Sequence, residues 1–350
     1  MRNPASICII RLSSLGDIVL LTPMIRVLRK QWPNARIDMI VAEQFSEVLK
    51  YNPRLDNVYT VQTNSGIRRL LAEKKRLHSL MSTYDLVIDA HGSIRSRILR
   101  IGLGKSLVSY DKFRKYKLNI LKYKTRIPLQ DIIPIPHRYF TALSGYQSVQ
   151  PDDFGAECWL PLEEEKQKYL AQKKSQATCI AIAPGAHHAT KRWPAENFEE
   201  LIRLLHQYYL LPIVLLGGIA EKELCETIAN NSEGKAISQA GILTLEQTIA
   251  VLDKSTCFIG NDSGLLHVAS SRNIPVTVIY GSTVPEFGFI PYKTDYTIAS
   301  LDLPCKPCTH IGKKKCPEGH FNCMNQLTPA MVFEKVQSLI QKSGENHNTK

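Results

Sequence analysis

The stretch ICIIRLSSLGDIVLLTP, residues 7–23, decides the fold. Ile7, Cys8, Ile9 and Ile10 make a short continuous apolar run, the mark of a strand buried on both faces. After small residues at Ser13, Ser14 and Gly16, the apolar pattern resumes at Ile18, Val19, Leu20 and Leu21. This reads as a strand over 7–12 feeding a helix over 17–31 through a short, open turn, the first unit of a parallel α/β sheet. The turn carries one carboxylate, Asp17. An acid at a helix start is ordinarily explained by the helix dipole. Ser14 and Gly16 beside it also leave room for a ligand, and a carboxylate there could take a proton from a hydroxyl.

The alternation continues on both sides of a break. Strands are expected at 37–42, 58–62 and 84–90, with helices at 44–51, 67–81 and 137–146. The stretch QPDDFGAECWLPLEEEK, residues 150–166, then gathers proline, acid and glycine, and a domain boundary falls at 151–161. A helix over 163–174 follows. Strands then return at 179–183, 213–216, 257–260 and 276–280, with helices at 195–209, 221–230, 245–252, 264–271 and 329–341. The fold class is therefore α/β with two doubly wound sheets, one domain over 1–155 and another over 156–328. The polar tail at 343–350 is expected to be disordered.

Composition agrees. The 350 residues are 44% hydrophobic and 22% charged, enough apolar material for two cores. No uninterrupted apolar run approaches the length of a membrane span, and the first residues lack a signal-peptide pattern, so a cytoplasmic location is expected. The net charge of +12 favours anionic partners. Much of it lies in 95–126, where Arg95, Arg97, Arg114, Lys115 and Lys117 are interleaved with Tyr110, Phe113, Tyr116 and Tyr123. Such a block is either a solvated face or a binding surface.

Ligands of open α/β sheets sit at the carboxyl ends of the strands, where the remaining candidates cluster. In PGAHHATKRWP (184–194), Thr190, Lys191 and Arg192 precede a helix and either suit an anion or form a solvated basic loop; the small Gly185 and Ala186 at the strand end favour phosphate. In LLGGIAEKE (215–223), Glu221 follows a diglycine turn and either caps the helix or accepts ribose hydroxyls. In GNDSGLLHVA (260–269), Asp262, Ser263 and Gly264 begin a helix that carries His267 in its first turns. Asp262 suits sugar hydroxyls, the helix start suits phosphate, and His267 is either a structural histidine or a ligand contact. GLGKS (102–106) lacks the first glycine and the preceding strand of a P-loop, and no G-x-G-x-x-G follows an expected strand. Cys305, Cys308, Cys316 and Cys323 have a spacing compatible with a structural zinc or iron site, or form a reduced, metal-free loop.

In their order, RLSSLGDIVLLTP, PGAHHATKRWP, GGIAEKE and NDSGLLHVA resemble the motifs of glycosyltransferase family 9, the ADP-heptose:lipopolysaccharide heptosyltransferases. The cysteine segment 305–323 is similar to the C-terminal region of many members. The resemblance implies a GT-B fold, two Rossmann-like domains facing across a cleft, with the helix at 329–342 returning to the first domain. It implies inverting transfer of heptose from ADP-heptose to the lipopolysaccharide inner core, with no cofactor required for catalysis. Carried across by position, Asp17 is the base and Lys191 the lysine on the donor diphosphate, with Thr190, Glu221, Asp262, Ser263, Gly264 and His267 around the donor. The acceptor would be an anionic lipid-linked saccharide. Arg95, Arg97, Arg114, Lys115 and Lys117 would then hold the enzyme on the cytoplasmic face of the inner membrane. Another nucleotide sugar or a protein acceptor is the alternative within the family. Outside it stands a non-catalytic nucleotide-sugar or nucleic-acid binding protein, although nucleic acid is not the expected partner.

Overall fold

The computed structural model describes residues 3–63, 66–161, 163–164 and 178–348, with side chains to Ser343. Apart from its first two residues, the helix expected at 163–174 lies outside the described residues. The chain forms two compact units. One comprises Met1–Phe113 with Pro134–Leu162, the other Arg114–Ile133 with Glu163–Lys350.

The first unit holds β1 (Ser6–Ile10), β2 (Arg36–Ala42), β3 (Asn57–Val61), β4 (Tyr84–Asp89) and β5 (Gly104–Ser109). All pairs are parallel and the order is β3-β2-β1-β4-β5. The chain builds outward from β1 to β3, then returns to add β4 on the other side of β1. Strand order therefore reverses between β1 and β4, where a crevice opens at the carboxyl ends of a doubly wound sheet. Cys8, Ile10, Ile40 and Val87 pack with Leu70, Leu77 and Leu99 from the helices Ile67–Leu80 and Ile94–Arg100.

The second unit repeats the plan with β6 (Cys179–Ala183), β7 (Ile213–Leu215), β8 (Ala236–Ser238), β9 (Ser255–Asn261), β10 (Val276–Ile279) and β11 (Tyr296–Ala299). Its parallel order, β11-β10-β9-β6-β7-β8, reverses between β6 and β9. Ile180, Ile182 and Ile259 face Phe198, Leu201, Ile202 and Leu205 of the helix Ala195–Tyr209 in one core.

Several sequence expectations are revised. The helix expected over 17–31 is two, Leu15–Val19 and Thr22–Gln31, because Pro23 has no N–H to continue the first and suits the first turn of a new helix. The helix expected at 44–51 is a run of 3-10 turns, Glu43–Leu49. GLGKS runs into β5 instead of a helix start, which removes any P-loop reading. The helix near 137–146 is shorter, Ile135–Phe140 followed by 3-10 turns. The last helix runs Pro329–Asn348, through most of the expected tail, since nothing from 343 to 348 is a proline and each added residue contributes a backbone hydrogen bond. It packs on Ala195–Tyr209, β10 and β11, with Val332 and Val336 in the second core, where the resemblance sent it back to the first domain.

The stretch 1–155 is not one continuous domain. Segment Arg114–Ile133 belongs to the second unit. Ile120, on the helix Arg114–Tyr123, packs with Val284 and Phe287. The Tyr116 hydroxyl donates to Glu286 O at 3.0 Å, and Lys124 Nζ donates to Pro307 O at 2.6 Å. Arg126 pairs with Glu286 and Asp302.

Candidate functional site

In the first unit the turn leaving β1 sits at the strand-order reversal. Asp17 is in the short helix Leu15–Val19, and its Oδ1 lies 2.7 Å from Arg11 NH2, both side chains being largely buried. Arg11 is fixed from other directions, its Nε donating to Ser13 O at 2.7 Å and NH1 to Ala90 O at 2.5 Å. Asp17 Oδ2 accepts from the Ser14 hydroxyl at 2.8 Å and from the Ser14 N–H at 3.2 Å, and Oδ1 accepts from the Tyr139 hydroxyl at 3.3 Å. Burial alone would raise the carboxyl pKa. Arg11 and the Ser14 donors prevail and hold it below the ordinary carboxylate value. Burial keeps the Tyr139 phenol protonated, so it can only donate to Asp17. The helix-dipole explanation of Asp17 is thus incomplete, since a buried guanidinium holds the acid. Gly16 is buried in the helix, and Ser14 is exposed but turned onto Asp17.

Beside the turn is a cavity of about 240 Å³ lined by Leu12, Ser13, Thr63, His91, Ser93, Ile94 and Arg95. His91 follows β4 across the reversal. Burial, then the nearby charges of Arg11 and Lys112, push its imidazole down to about 4, leaving it neutral at pH 7.

In the second unit the loops after β6 and β9 meet at the other reversal. Lys191 Nζ lies 2.6 Å from Asp262 Oδ2, which also accepts from Thr283 Oγ1 at 2.9 Å. Asn261 joins the two loops, its Nδ2 donating to Pro184 O at 2.7 Å and its Oδ1 accepting from Trp193 N at 3.2 Å. Thr190 is buried. Its hydroxyl oxygen accepts from Lys313 N at 2.8 Å and Ser282 Oγ at 2.9 Å, so it braces the Lys191 loop. Glu221 caps its own helix turn, Oε2 accepting from Gly218 N at 2.9 Å, and lies against Gly185. A Cβ on Gly185 would fall 2.2 Å from Glu221 Cγ, so only glycine lets the first loop pass the acid. Ser263 precedes the helix Gly264–Ser271 without capping it by its side chain, and His267 is buried with its ring 6.3 Å from that of Phe289.

The basic block divides. Arg95 and Arg97 are exposed on the first unit, and Arg114 and Lys115 are exposed on the second, with Lys117 half-buried there. Arg100 pairs with Asp89, Lys105 with Asp85, and Lys112 donates to Gly92 O. Of the interleaved aromatics, Tyr110, Phe113 and Tyr116 are half-buried and Tyr123 is exposed. The Tyr110 ring lies tilted against that of Tyr139, and Arg138 lies over Phe113. Cys305, Cys308 and Cys316 are partly exposed and Cys323 is buried. Burial and the other three thiols push Cys308 up to about 11, so it stays a thiol, and its Sγ donates to Cys305 O at 3.2 Å. Among the described residues no His, Cys, Asp or Glu group is arranged to hold a metal ion.

Sequence reasoning missed Arg11, Tyr139, His91 and Thr283. Only Arg11 left a signal, as a cation directly after four apolar strand residues.

The family model described as glycosyltransferase family 9 (heptosyltransferase) matches residues 74–320. The chain is 24% identical over 364 residues to lipooligosaccharide heptosyltransferase 2 of Haemophilus ducreyi, covering 95% of this chain and 99% of that one. Among solved structures, a family 9 glycosyltransferase from Veillonella parvula superimposes with a TM-score of 0.78 at 22% identity, covering 98% of each chain. The E. coli heptosyltransferase WaaC with ADP-2-deoxy-2-fluoro heptose gives 0.68 at 21% identity, covering 95% of this chain and 99% of that one.

Proposed function

This chain belongs to glycosyltransferase family 9, its two parallel α/β sheets are those of a GT-B enzyme, and from that premise we propose that it transfers heptose from ADP-heptose to an anionic lipid-linked saccharide of the lipopolysaccharide inner core. The observation that carries this reading is the Lys191–Asp262 pair at the strand-order reversal of the second sheet. A cation and a sugar-hydroxyl acceptor meet there beside the start of the helix Gly264–Ser271. Relatives named as lipooligosaccharide and lipopolysaccharide heptosyltransferases support the sugar and acceptor classes, and WaaC solved with ADP-2-deoxy-2-fluoro heptose supports the nucleotide.

In this reaction the acceptor hydroxyl attacks the anomeric carbon, inverting it. The bond to the donor phosphate breaks, and ADP departs with the electron pair. Asp17 takes the hydroxyl proton. It is ionised at neutral pH because Arg11 holds it so, and Tyr139 fixes one of its oxygens. Lys191 moves from Asp262 onto the diphosphate. The N–H groups that open the helix Gly264–Ser271, after Ser263, meet the same charge. Asp262, once released, accepts from donor sugar hydroxyls. Glu221, with Oε2 on its own backbone, turns Oε1 to the ribose. Lys191 and the helix N–H groups supply the positive charge that a divalent cation would otherwise bring, so the reaction needs none. Arg95, Arg97, Arg114, Lys115 and Lys117 attract the anionic acceptor surface at the cytoplasmic face of the inner membrane.

A donor and acceptor screen with product identification by mass spectrometry tests this. A heptosylated lipid acceptor, formed equally in excess chelator, is the expected product. Donor consumption without an acceptor product refutes the reading.

A further inference from the structure

Beyond a general attraction to anionic surfaces, we infer that the helices Ile67–Leu80 and Ile94–Arg100 form a membrane-docking face, with Ile67, Leu71 and Ile94 entering an anionic bilayer around the cavity beside Asp17.

Both helices run back along a parallel sheet, one between β3 and β4 and the other between β4 and β5, and they pack on each other. Both therefore begin at the strands' carboxyl ends, the edge that carries the turn of Asp17. The cavity confirms the placement, since Thr63, just before the first helix, and Ile94 and Arg95, which open the second, share its lining with Ser13.

At this edge large aliphatic side chains face outward. Ile67 is 64% exposed, Leu71 52% and Ile94 77%. Helices of a soluble enzyme usually put such residues inward, and here Leu70, Leu77 and Leu99 already fill the core. Cations surround them. The first helix carries Arg68, Arg69, Lys74, Lys75 and Arg76, against Glu73, which Arg76 pairs at 2.7 Å. The second carries Arg95 and Arg97, both exposed, and no acid, while its Arg100 is paired with Asp89. Isolated aliphatics set among arginines do not make the charge-depleted core of a protein interface. They match the boundary of an anionic bilayer, where arginines meet phosphates and aliphatic tips enter the acyl region. Among the described residues no helix is long and apolar enough to cross a membrane, so the contact is at the surface.

The inference rests on the proposed function only for the purpose of docking, bringing the cavity to a lipid-linked acceptor. Its test needs no sugar transfer. The intact protein is sedimented with phosphatidylcholine vesicles, with or without about one-third phosphatidylglycerol, and the Ile67→Ser/Leu71→Ser variant is run in parallel. The wild type is expected to bind only the anionic vesicles, and the variant to bind them at least about tenfold more weakly at unchanged net charge. ADP binding and the thermal transition report that the variant is folded. Transfer to a deacylated acceptor should be unchanged, while transfer to the vesicle-bound lipid falls. Three outcomes overturn the inference: no binding of the wild type to protein-free anionic vesicles; equal binding by the variant; or loss of binding on Leu118→Ser, on the other unit, in place of the double change. Vesicle binding without heptose transfer would refute the proposed function and leave this surface standing.

Discussion

Asp17→Asn separates the two roles of the carboxylate. The substitution keeps the side chain's size and removes its charge. Arg11 then stays in place with its side chain 7% exposed and without the anion 2.7 Å away. Breaking a buried pair by removing one partner costs about 3–5 kcal/mol. The low end applies, because Ser13 O and Ala90 O still accept from the guanidinium. For a unit of this size, about 3 kcal/mol lowers its melting temperature by roughly 6–12 °C. Losing a general base should cost a further 10²–10⁴-fold in turnover, about 3–5 kcal/mol of barrier. The assay is kcat for heptose transfer well below the melting transition, alongside calorimetric titration with ADP. A fall in kcat of at least about a hundredfold with an ADP Kd within about twofold is expected. If kcat stays within about tenfold while the melting temperature drops, Asp17 is a structural anchor and the base lies elsewhere. The pH dependence has a definite sign. The folded-state pKa is depressed, so Asp17 contributes stability above its ordinary value of about 3.9 and loses it as pH falls through the folded value. From pH 5 to 8 it remains a carboxylate, and it adds no acid limb to the rate in that range.

Lys191→Ala removes the cation 2.6 Å from Asp262, and both ADP affinity and turnover should fall about tenfold or more; unchanged kinetics would exclude a phosphate contact. Gly185→Ala drives Glu221 off its cap on Gly218, and chemical denaturation should show about 1–2 kcal/mol lost together with weaker donor binding. His91 is held down to about 4 where an unfolded histidine titrates near 6.5, so the unfolded chain takes up the proton first. Stability should therefore be full above pH 6.5 and erode by about 3 kcal/mol as pH falls toward 4, and His91→Gln should flatten that slope in urea melts.

The sheet cores were legible because interior strands are continuous apolar runs and the long helices are periodic. Ala195–Tyr209 and Gly264–Ser271 fall where their patterns place them. The edge strands β5, β8 and β11 were not, since each is short or lacks a continuous apolar run, whereas β3, also at an edge, was. GKSLVS alternates between partly covered and exposed, and Ala236–Ser238 is too short to show a pattern. In the candidate site, strand-end positions could be read from small residues and charges in the turns. Partnerships could not, because they join distant segments. Asp17 meets Tyr139 across 122 residues, and Lys191 meets Asp262 through a loop pairing set by Asn261. The roles of Glu221 and Thr190 turned on which way short side chains point, which spacing does not encode.

The crossing of Arg114–Ile133 into the second unit also governs how this enzyme can be dissected. A gene fragment ending at the sequence's natural-looking boundary near 155 would encode the first sheet with an orphaned arm, stripped of Val284 and Phe287 and leaving Ile120 wet. The complementary fragment would lack the lid over those same residues. Neither half is a free-standing module as cut, and recombining halves from different relatives would have to carry this arm along with the partner it clasps.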